Sequence, residues 1–244
     1  TSYTRSGTAR YGATTEVNDT IQTMEITQDK AVSLSVDKGN NTQQMLIKNS
    51  GIVMARELRE QFVPMFDKYA LARWSGLMSS APVWASNVTV KADGTTLTKS
   101  TIVDAISAGV TAIRNEGTGV EDAFCFIGES NFAKLLMSAE FLAVDKLAER
   151  NLERGVLGKV RGLQIVPVPD SYLTTSGNTN LTAGIHFLIA KKSVVLAPTQ
   201  IKDAKVHQDP PGLSGALLEV RWLYDAFVLD TKAKGVYVSK ASAS

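Results

Sequence analysis

The stretch from Met45 to Met78 constrains the fold most, because its apolar residues keep a helical spacing over an unusual length of this 244-residue chain. These residues recur every three or four positions and would line one stripe of a helix. They are Met54, Leu58, Phe62, Met65 and Tyr69. The residues between them are largely charged and of both signs, which is typical of a solvated face with local ion pairs. A helix of about 30 residues would be about 45 Å long.

Pro64 interrupts this pattern near its middle. A proline inside a helix donates no backbone hydrogen bond, and its ring clashes with the carbonyl group four residues earlier, here that of Glu60. We therefore expect a kinked helix and not a break. The helix is interpreted either as a spine to which flanking sheets attach or as the long core helix of an ordinary domain.

The segment before this helix predicts an arm followed by a β-hairpin. Residues 1–20 are polar and show no sustained period, which favours an extended arm that lies on another surface. Two runs of alternating apolar and polar residues follow, with a polar turn between them. The residues are Met24 and Ile26 in the first run, Gln28, Asp29 and Lys30 at the turn, and Val32, Leu34 and Val36 in the second run. Because two strands alone are marginal, the hairpin must join the domain's own sheet or reach a neighbouring subunit.

Helices and strands are mixed in the remainder of the chain, which predicts an α/β or α+β arrangement. A helix over 98–114 would bury the face that carries Ile102, Ala105, Ile106, Gly109, Val110 and Ile113. Ser130 is predicted to cap the next helix, and a further helix is predicted over 141–154. The predicted strands are 87–90, 123–127, 163–168, 185–190, 193–197, 217–230 and 235–238.

Composition and charge exclude several classes of protein. The chain has 26 basic and 24 acidic residues, so its formal charge of +2 gives no strong reason to expect sequence-independent binding of nucleic acid. No run approaches the roughly 18 apolar residues of a transmembrane helix, and no contact with a membrane is predicted. The single Cys125 lies in the apolar run AFCFI, which indicates a buried thiol.

Candidate catalytic and ligand-binding motifs are incomplete. Ser130 follows a predicted strand as a nucleophile elbow would, but Phe132 stands where that motif needs a glycine. His186 and His207 have no partner at the spacing of metal ligands. The glycines at 155, 158 and 162 make neither a dinucleotide fingerprint nor a Walker A loop, and Asp225 and Asp230 are interpreted as solvated strand ends. We therefore predict no catalytic residue, no cofactor and no metal site.

Four stretches, in this order, resemble the major capsid proteins of tailed bacteriophages, which have the Hong Kong 97 type fold. They are IQTMEITQDKAVSLSVDKGNNTQ (21–43), MARELREQFVPMFDKYALARW (54–74), GVLGKVRGLQIVPVPDSYL (155–173) and RWLYDAFVLDTKAKGVYV (221–238). The resemblance implies an α+β fold with five parts. These are an N-terminal arm (1–19), an extended β-hairpin loop (20–41), a peripheral domain with the spine helix (42–97), an α/β axial domain (98–208) and strands that return to the peripheral domain (209–244).

The resemblance also implies a structural function. Copies of such a chain assemble through hexamers and pentamers into an icosahedral shell around packaged double-stranded DNA, in a virion assembled in the host cytoplasm. The implied partners are neighbouring subunits, scaffolding, portal or decoration proteins, and DNA held without sequence preference. Because the extended loop of relatives lies on a neighbouring subunit, we expect inter-subunit contacts from Ile26, Gln28, Asp29, Lys30 and Leu34. An encapsulin-like compartment and a soluble α/β hydrolase that uses Ser130 are the alternatives.

Overall fold

A computed structural model describes residues 21–43, 49–138 and 159–241, which form a mixed α+β structure with a six-stranded sheet, a three-stranded sheet and a two-stranded pair. The strands are β1 (Gln28–Asp37), β2 (Thr89–Ala92), β3 (Ala123–Gly128), β4 (Lys159–Val160), β5 (Leu163–Val168), β6 (Ile185–Lys191), β7 (Val195–Leu196), β8 (Thr199–Gln208), β9 (Gly215–Tyr224), β10 (Phe227–Val228) and β11 (Val236–Lys240). The α-helices are α1 (Lys38–Gln43), α2 (Ser50–Glu57), α3 (Val63–Ser75), α4 (Ile102–Asn115), α5 (Glu129–Leu136) and α6 (Asp170–Leu173). A π-helix spans Leu58–Phe62, and two 3-10 helices span Val83–Asn87 and Asp230–Gly235.

The predicted long helix is confirmed as one helical run from Ser50 to Ser75, made of α2, the π-helix and α3. The Asn49 side chain caps its start by accepting a hydrogen bond from the Gly51 amide, and Gly76 ends it with a φ of 69°. The expected irregularity at Pro64 is a widened turn, in which the Val63 amide donates to the carbonyl of Leu58, five residues earlier. Residues 45–48 of the predicted helix lie outside the described residues.

The three-stranded sheet, called here the small sheet, has the order β1-β9-β8 and is antiparallel throughout. One face of it packs on the helical run. The apolar cluster between them contains Val36, Met54, Phe62, Tyr69, Ala70, Ala216, Leu218, Val220, Trp222, Tyr224 and Ala226. The ring centroids of Phe62 and Trp222 lie 5.5 Å apart. All five residues of the predicted stripe therefore belong to this cluster or pack against it.

The hairpin predicted over residues 21–37 is wrong. Residues 21–27 form no strand, and Gln28, Asp29 and Lys30 are the first residues of β1 instead of a turn. The partner of β1 is β9, with Gln28 opposite Tyr224 and Asp37 opposite Gly215. The aromatic and aliphatic stripe of β9 offers β1 a larger apolar face than the three apolar residues of 21–27 could offer.

The six-stranded sheet, called here the large sheet, has the order β2-β11-β6-β3-β5-β4. Helices α4 and α5 pack on one of its faces, and the whole predicted face of α4 is buried there. Leu71 and Ala72 of α3 belong to the cluster that also contains Leu188 and Val238 of the sheet. Because Tyr69 and Ala70 belong to the small-sheet cluster, α3 is packed against both sheets.

Strand pairing bears on the predicted division into domains. The boundary predicted at residue 208 falls between β8 and β9, which form one hairpin of the small sheet. Strand β11 pairs with β2, from the predicted peripheral segment, and with β6, from the predicted axial segment, so the large sheet joins strands of both segments. The strands predicted over 123–127, 163–168 and 185–190 are confirmed as β3, β5 and β6, while the helix predicted over 141–154 lies outside the described residues.

Candidate assembly surface

The face of the small sheet that points away from the helical run is lined by charged residues of both signs. Arg221 of β9 donates to Asp29 of β1 through two nitrogens, with N–O distances of 2.6 and 3.0 Å. The hydrogen bond from Arg221 lowers the pKa of Asp29, and the same contact raises the pKa of Arg221. On the other side of β9, Asp203 is opposite Arg221, and Lys205 is opposite Glu219. These charges alternate across three strands because residues that are directly opposite in an antiparallel sheet share a face.

Small residues leave a shallow groove in the middle of this charged face. Ala31 and Ser33 of β1 line it together with Asp203, Lys205 and Glu219, and its volume is about 460 Å³. Lys205 is also 2.7 Å from Asp203 within β8. The groove therefore presents fixed charges and open space to a partner, and its chemistry suits a polar protein surface.

Both edges of the small sheet are long strands of ten residues each. Among the described residues, β1 and β8 each pair on one side only. Strand β8 is exposed along almost its whole length, and Val206 is 40% exposed although it points to the same side as the helical run. Unpaired strand edges bind other strands readily, so an exposed edge of this length is a candidate contact between chains.

The five predicted contact residues are not equivalent in the structure. Ile26 and Leu34 pack partly buried against apolar clusters of their own chain, and Gln28 is half-buried. Asp29 and Lys30 are exposed, although Asp29 is engaged by Arg221. Sequence reasoning missed the charged residues of β8 and β9, whose period-two alternation along TQIKDAKVHQ and GALLEVRWLY was the available signal.

Ser130 lies beside a carboxylate and not beside a histidine. It is the second residue of α5, whose N-cap is Gly128, so the prediction that Ser130 is the cap is wrong. Its hydroxyl and its amide both donate to Asp170. The Nε2 atom of His186 lies 3.1 Å from the Gly94 carbonyl, which can only accept, and His207 lies 3.4 Å from Glu219. Both imidazoles are engaged elsewhere, so the geometry does not support a nucleophile activated by histidine.

Asp225 is fully buried, so its interpretation as a solvated strand end is wrong. Asp230 accepts a hydrogen bond of 2.7 Å from the side chain of Asn87. Within residues 21–43, 49–138 and 159–241, no group of three or more His, Cys, Asp or Glu residues could hold a metal ion. In the same part of the chain, no helix combines the length and apolar character needed to cross a bilayer.

Solved structures of phage particles share the fold of this chain. The capsid structure of the cyanophage P-SCSP1u matches 96% of this chain and 81% of its own, with a TM-score of 0.64 and 14% identity. The head structure of the Helicobacter pylori bacteriophage KHP40 matches 88% of this chain and 73% of its own, with a TM-score of 0.58 and 11% identity. A virus-like particle from Pyrococcus furiosus matches 86% of this chain and 75% of its own, with a TM-score of 0.50 and 12% identity.

At the level of sequence, no family model and no curated protein matches the chain. The structural matches confirm the expected likeness to the fold of phage capsid proteins. The P-SCSP1u match extends over 96% of the chain.

Proposed function

We propose that this chain, which has the fold of bacteriophage capsid proteins, is a structural subunit that assembles with copies of itself, through hexamers and pentamers, into an icosahedral shell around packaged double-stranded DNA. The observation that carries the proposal is the match to the P-SCSP1u capsid over nearly the whole chain. A shell subunit needs extended surfaces more than a catalytic centre, because many weak contacts repeated over a closed lattice add up to a stable particle. The charged face and the two open edges of the small sheet are surfaces of this kind.

The contacts of the helical run support its interpretation as a spine. Helix α3 packs against the small sheet through Tyr69 and Ala70 and against the large sheet through Leu71 and Ala72. The peripheral domain is then the small sheet with the helical run, and the axial domain is the large sheet with α4 and α5. In this proposal residues 1–19 are an arm that contacts neighbouring subunits.

The proposed inter-subunit contact is the exposed side of β1 together with the charged face of the small sheet. Asp29 and Lys30 would take part with their side chains, whereas the partly buried Ile26, Gln28 and Leu34 would hold β1 and the residues before it on their own chain. The other proposed partners are scaffolding, portal or decoration proteins, and DNA held without sequence preference, in a virion assembled in the host cytoplasm. A formal charge of +2 is compatible with a wall that tolerates packed phosphates without binding them tightly.

Negative-stain electron microscopy and size-exclusion chromatography of the purified full-length chain, at several concentrations, test the proposal. We expect closed shells, capsomers or tubes whose amount rises with concentration. A monomer at every concentration would contradict self-assembly.

A pair of matched variants tests the contact proposed for the edge strand β1. Lys30 is opposite Trp222, so it lies at this edge on the side of the helical run and not on the charged face. Lys30→Glu reverses an exposed charge on β1, and Lys99→Glu makes the same change at an exposed position before α4. We expect Lys30→Glu to reduce assembly more than Lys99→Glu, with similar urea midpoints for both. A deletion of 28–30 would be uninformative, because it removes the first three residues of β1 and moves the residues before them along β9 by an odd number, which reverses the faces of those residues.

A compartment with other contents is the second candidate, because a virus-like particle from Pyrococcus furiosus shares the fold. The nucleic-acid content of purified particles distinguishes the two. Particles from the natural source that hold nuclease-protected double-stranded DNA support the capsid, and particles that hold protein cargo support the compartment.

A further inference from the structure

Residues 21–27, called here the strap, lie on the surface of their own chain without joining a sheet. The Gln22 side chain fixes the first end, since its oxygen accepts from the Asp230 amide at 2.9 Å and its nitrogen is 3.4 Å from the Val228 carbonyl. Met24 and Ile26 are partly buried beside Phe227 and line one side of an open apolar groove of about 500 Å³. The strap therefore has few interactions of its own, and whether it stays on this surface depends on what holds its second end, at Thr27.

Asp225 holds that second end. Its Oδ2 atom accepts from the amide and from the hydroxyl of Thr27, at 3.0 and 2.9 Å. Its Oδ1 atom accepts from the Tyr69 hydroxyl at 2.9 Å and from the Ala226 amide at 2.7 Å. The Nε atom of Arg73 lies 3.7 Å from Oδ1 and adds a nearby positive charge.

The two oxygens of this carboxylate thus serve different parts of the molecule. Oδ1 bonds the helical run and the corner after β9, while Oδ2 bonds only the strap among the described residues. The Asp225 side chain is fully buried, and leaving a charged acceptor without donors in such a place is strongly unfavourable. Detaching the strap would leave Oδ2 buried without a donor, at that cost in free energy. The two bonds to Oδ2 therefore favour the attached strap more than the same bonds to an exposed carboxylate would.

We propose that Asp225 is a positioning residue, whose buried carboxylate seats the strap on its own subunit and so fixes the place on the subunit from which the chain before the strap continues. The role of the arm in contacting neighbours rests on the proposed function, whereas the seating of the strap does not. Without Asp225 the strap would keep only the two Gln22 hydrogen bonds and the apolar contacts of Met24 and Ile26, so its path into β1 would be less fixed. For a subunit that must meet its neighbours at repeated positions, a fixed starting point lowers the ordering cost of each contact.

Two substitutions that each remove one hydrogen bond to Asp225 test the proposal. Thr27→Val removes a donor to Oδ2, on the strap side, and Tyr69→Phe removes a donor to Oδ1, on the body side. Hydrogen exchange of the amide at position 27 is measured in the unassembled subunit, along with cleavage after Glu25 by a glutamyl endopeptidase. We expect Thr27→Val to speed both processes at least about tenfold, since a bond to a charged group is lost. We expect Tyr69→Phe to speed them less, since the Tyr69 hydroxyl donates to Oδ1 and only its contact with the Thr27 side chain reaches the strap.

Thr27→Ser is the conservative control, because it keeps the hydroxyl, and it should restore the slow exchange. Equal acceleration in Thr27→Val and Tyr69→Phe would show a general loss of stability and would overturn the positioning role. Unchanged exchange in Thr27→Val would overturn it as well.

Electron microscopy of the same variants separates this inference from the proposed function. We expect fewer or irregular shells from Thr27→Val and normal shells from Tyr69→Phe. Normal shells from a Thr27→Val chain with a loosened strap would overturn the part of the inference that concerns the arm. If the unmodified chain forms no assembly, the proposed function fails, while the exchange result still decides whether Asp225 seats the strap.

Discussion

Pro64→Ala is expected to change the free energy of unfolding by less than about 1 kcal/mol, although a proline inside a regular α-helix costs about 3 kcal/mol relative to alanine. The reason is the π-helix over Leu58–Phe62, which makes Pro64 the second residue of a new helix, α3. Proline is tolerated in the first turn of a helix because amides there have no partner in the helix. The widened turn therefore removes most of the strain that the sequence predicts.

The remaining terms for this substitution are small and opposed. Alanine at position 64 adds an amide that can at most bond a carbonyl of the preceding π-helix, which would contribute no more than about 0.5–1.5 kcal/mol. The unfolded chain becomes more flexible when the proline is lost, which costs about 0.4–1 kcal/mol of stability. For a chain of this length a net change below about 1 kcal/mol shifts the melting temperature by at most about 4 °C.

Urea unfolding of the Pro64→Ala subunit measures this difference from the midpoint and the slope. Gln61→Ala, at an exposed neighbouring position, is the control for helix propensity and should change stability by no more than about 0.5 kcal/mol. We expect an unchanged slope, since neither substitution alters the buried surface. Stabilisation near 3 kcal/mol would refute the reasoning, because it would mean that the π-helix does not relieve Pro64.

Two further predictions follow from buried ionisable groups. Burial, reinforced by the hydrogen bond to Asp225, raises the pKa of Tyr69 to about 12, above the value of about 10 in an unfolded chain. The stability that this proton contributes is present below pH 10 and is lost between pH 10 and 12. The urea midpoint of Tyr69→Phe should therefore fall less steeply across this window than that of the unmodified chain. Part of the fall should remain, because burial also raises the pKa of Tyr237. Burial also raises the pKa of Cys125 to about 12, and a disulfide reagent at pH 8 should label this thiol only as fast as the chain unfolds. Labelling is measured from the absorbance of the thiolate that the reagent releases. A labelling rate above the unfolding rate would contradict the packing of β3 in the large sheet.

Local periodicity predicted the elements whose packing depends on one face. The buried residues of α4 were all predicted, because a helix shows its contact face in a window of 14 residues. The strands β3, β5 and β6 were predicted for a related reason, since short apolar runs with clear ends favour buried strands. In these elements the sequence periodicity matches the burial of the side chains, and the prediction does not require knowing which distant residues they contact.

Strand pairing and buried polar contacts could not be predicted in the same way. The partner of Gln28 is Tyr224, and the partner of Thr27 is Asp225, which is 198 positions away. The sequence around Asp225 shows an acidic residue between apolar ones, and this is equally typical of an exposed strand end. Its burial follows from donors on Thr27 and Tyr69 that only the folded chain brings together.

The candidate assembly surface raises a harder problem, because a solvated strand face and a contact face have the same sequence pattern. Charges of both signs at alternate positions of β8 and β9 keep an isolated sheet in solution, and the same charges can pair with a second subunit. The Asp29–Arg221 pair is formed within one chain, so its presence does not distinguish the two uses. The fold around the sheet is shared with phage structures over most of the chain at 16% identity or less, and this likeness is the ground on which we propose the contact. Because the proposed function depends on surfaces repeated by symmetry and not on a reacting group, only the shape of the folded subunit carries it, and its test is the assembled particle.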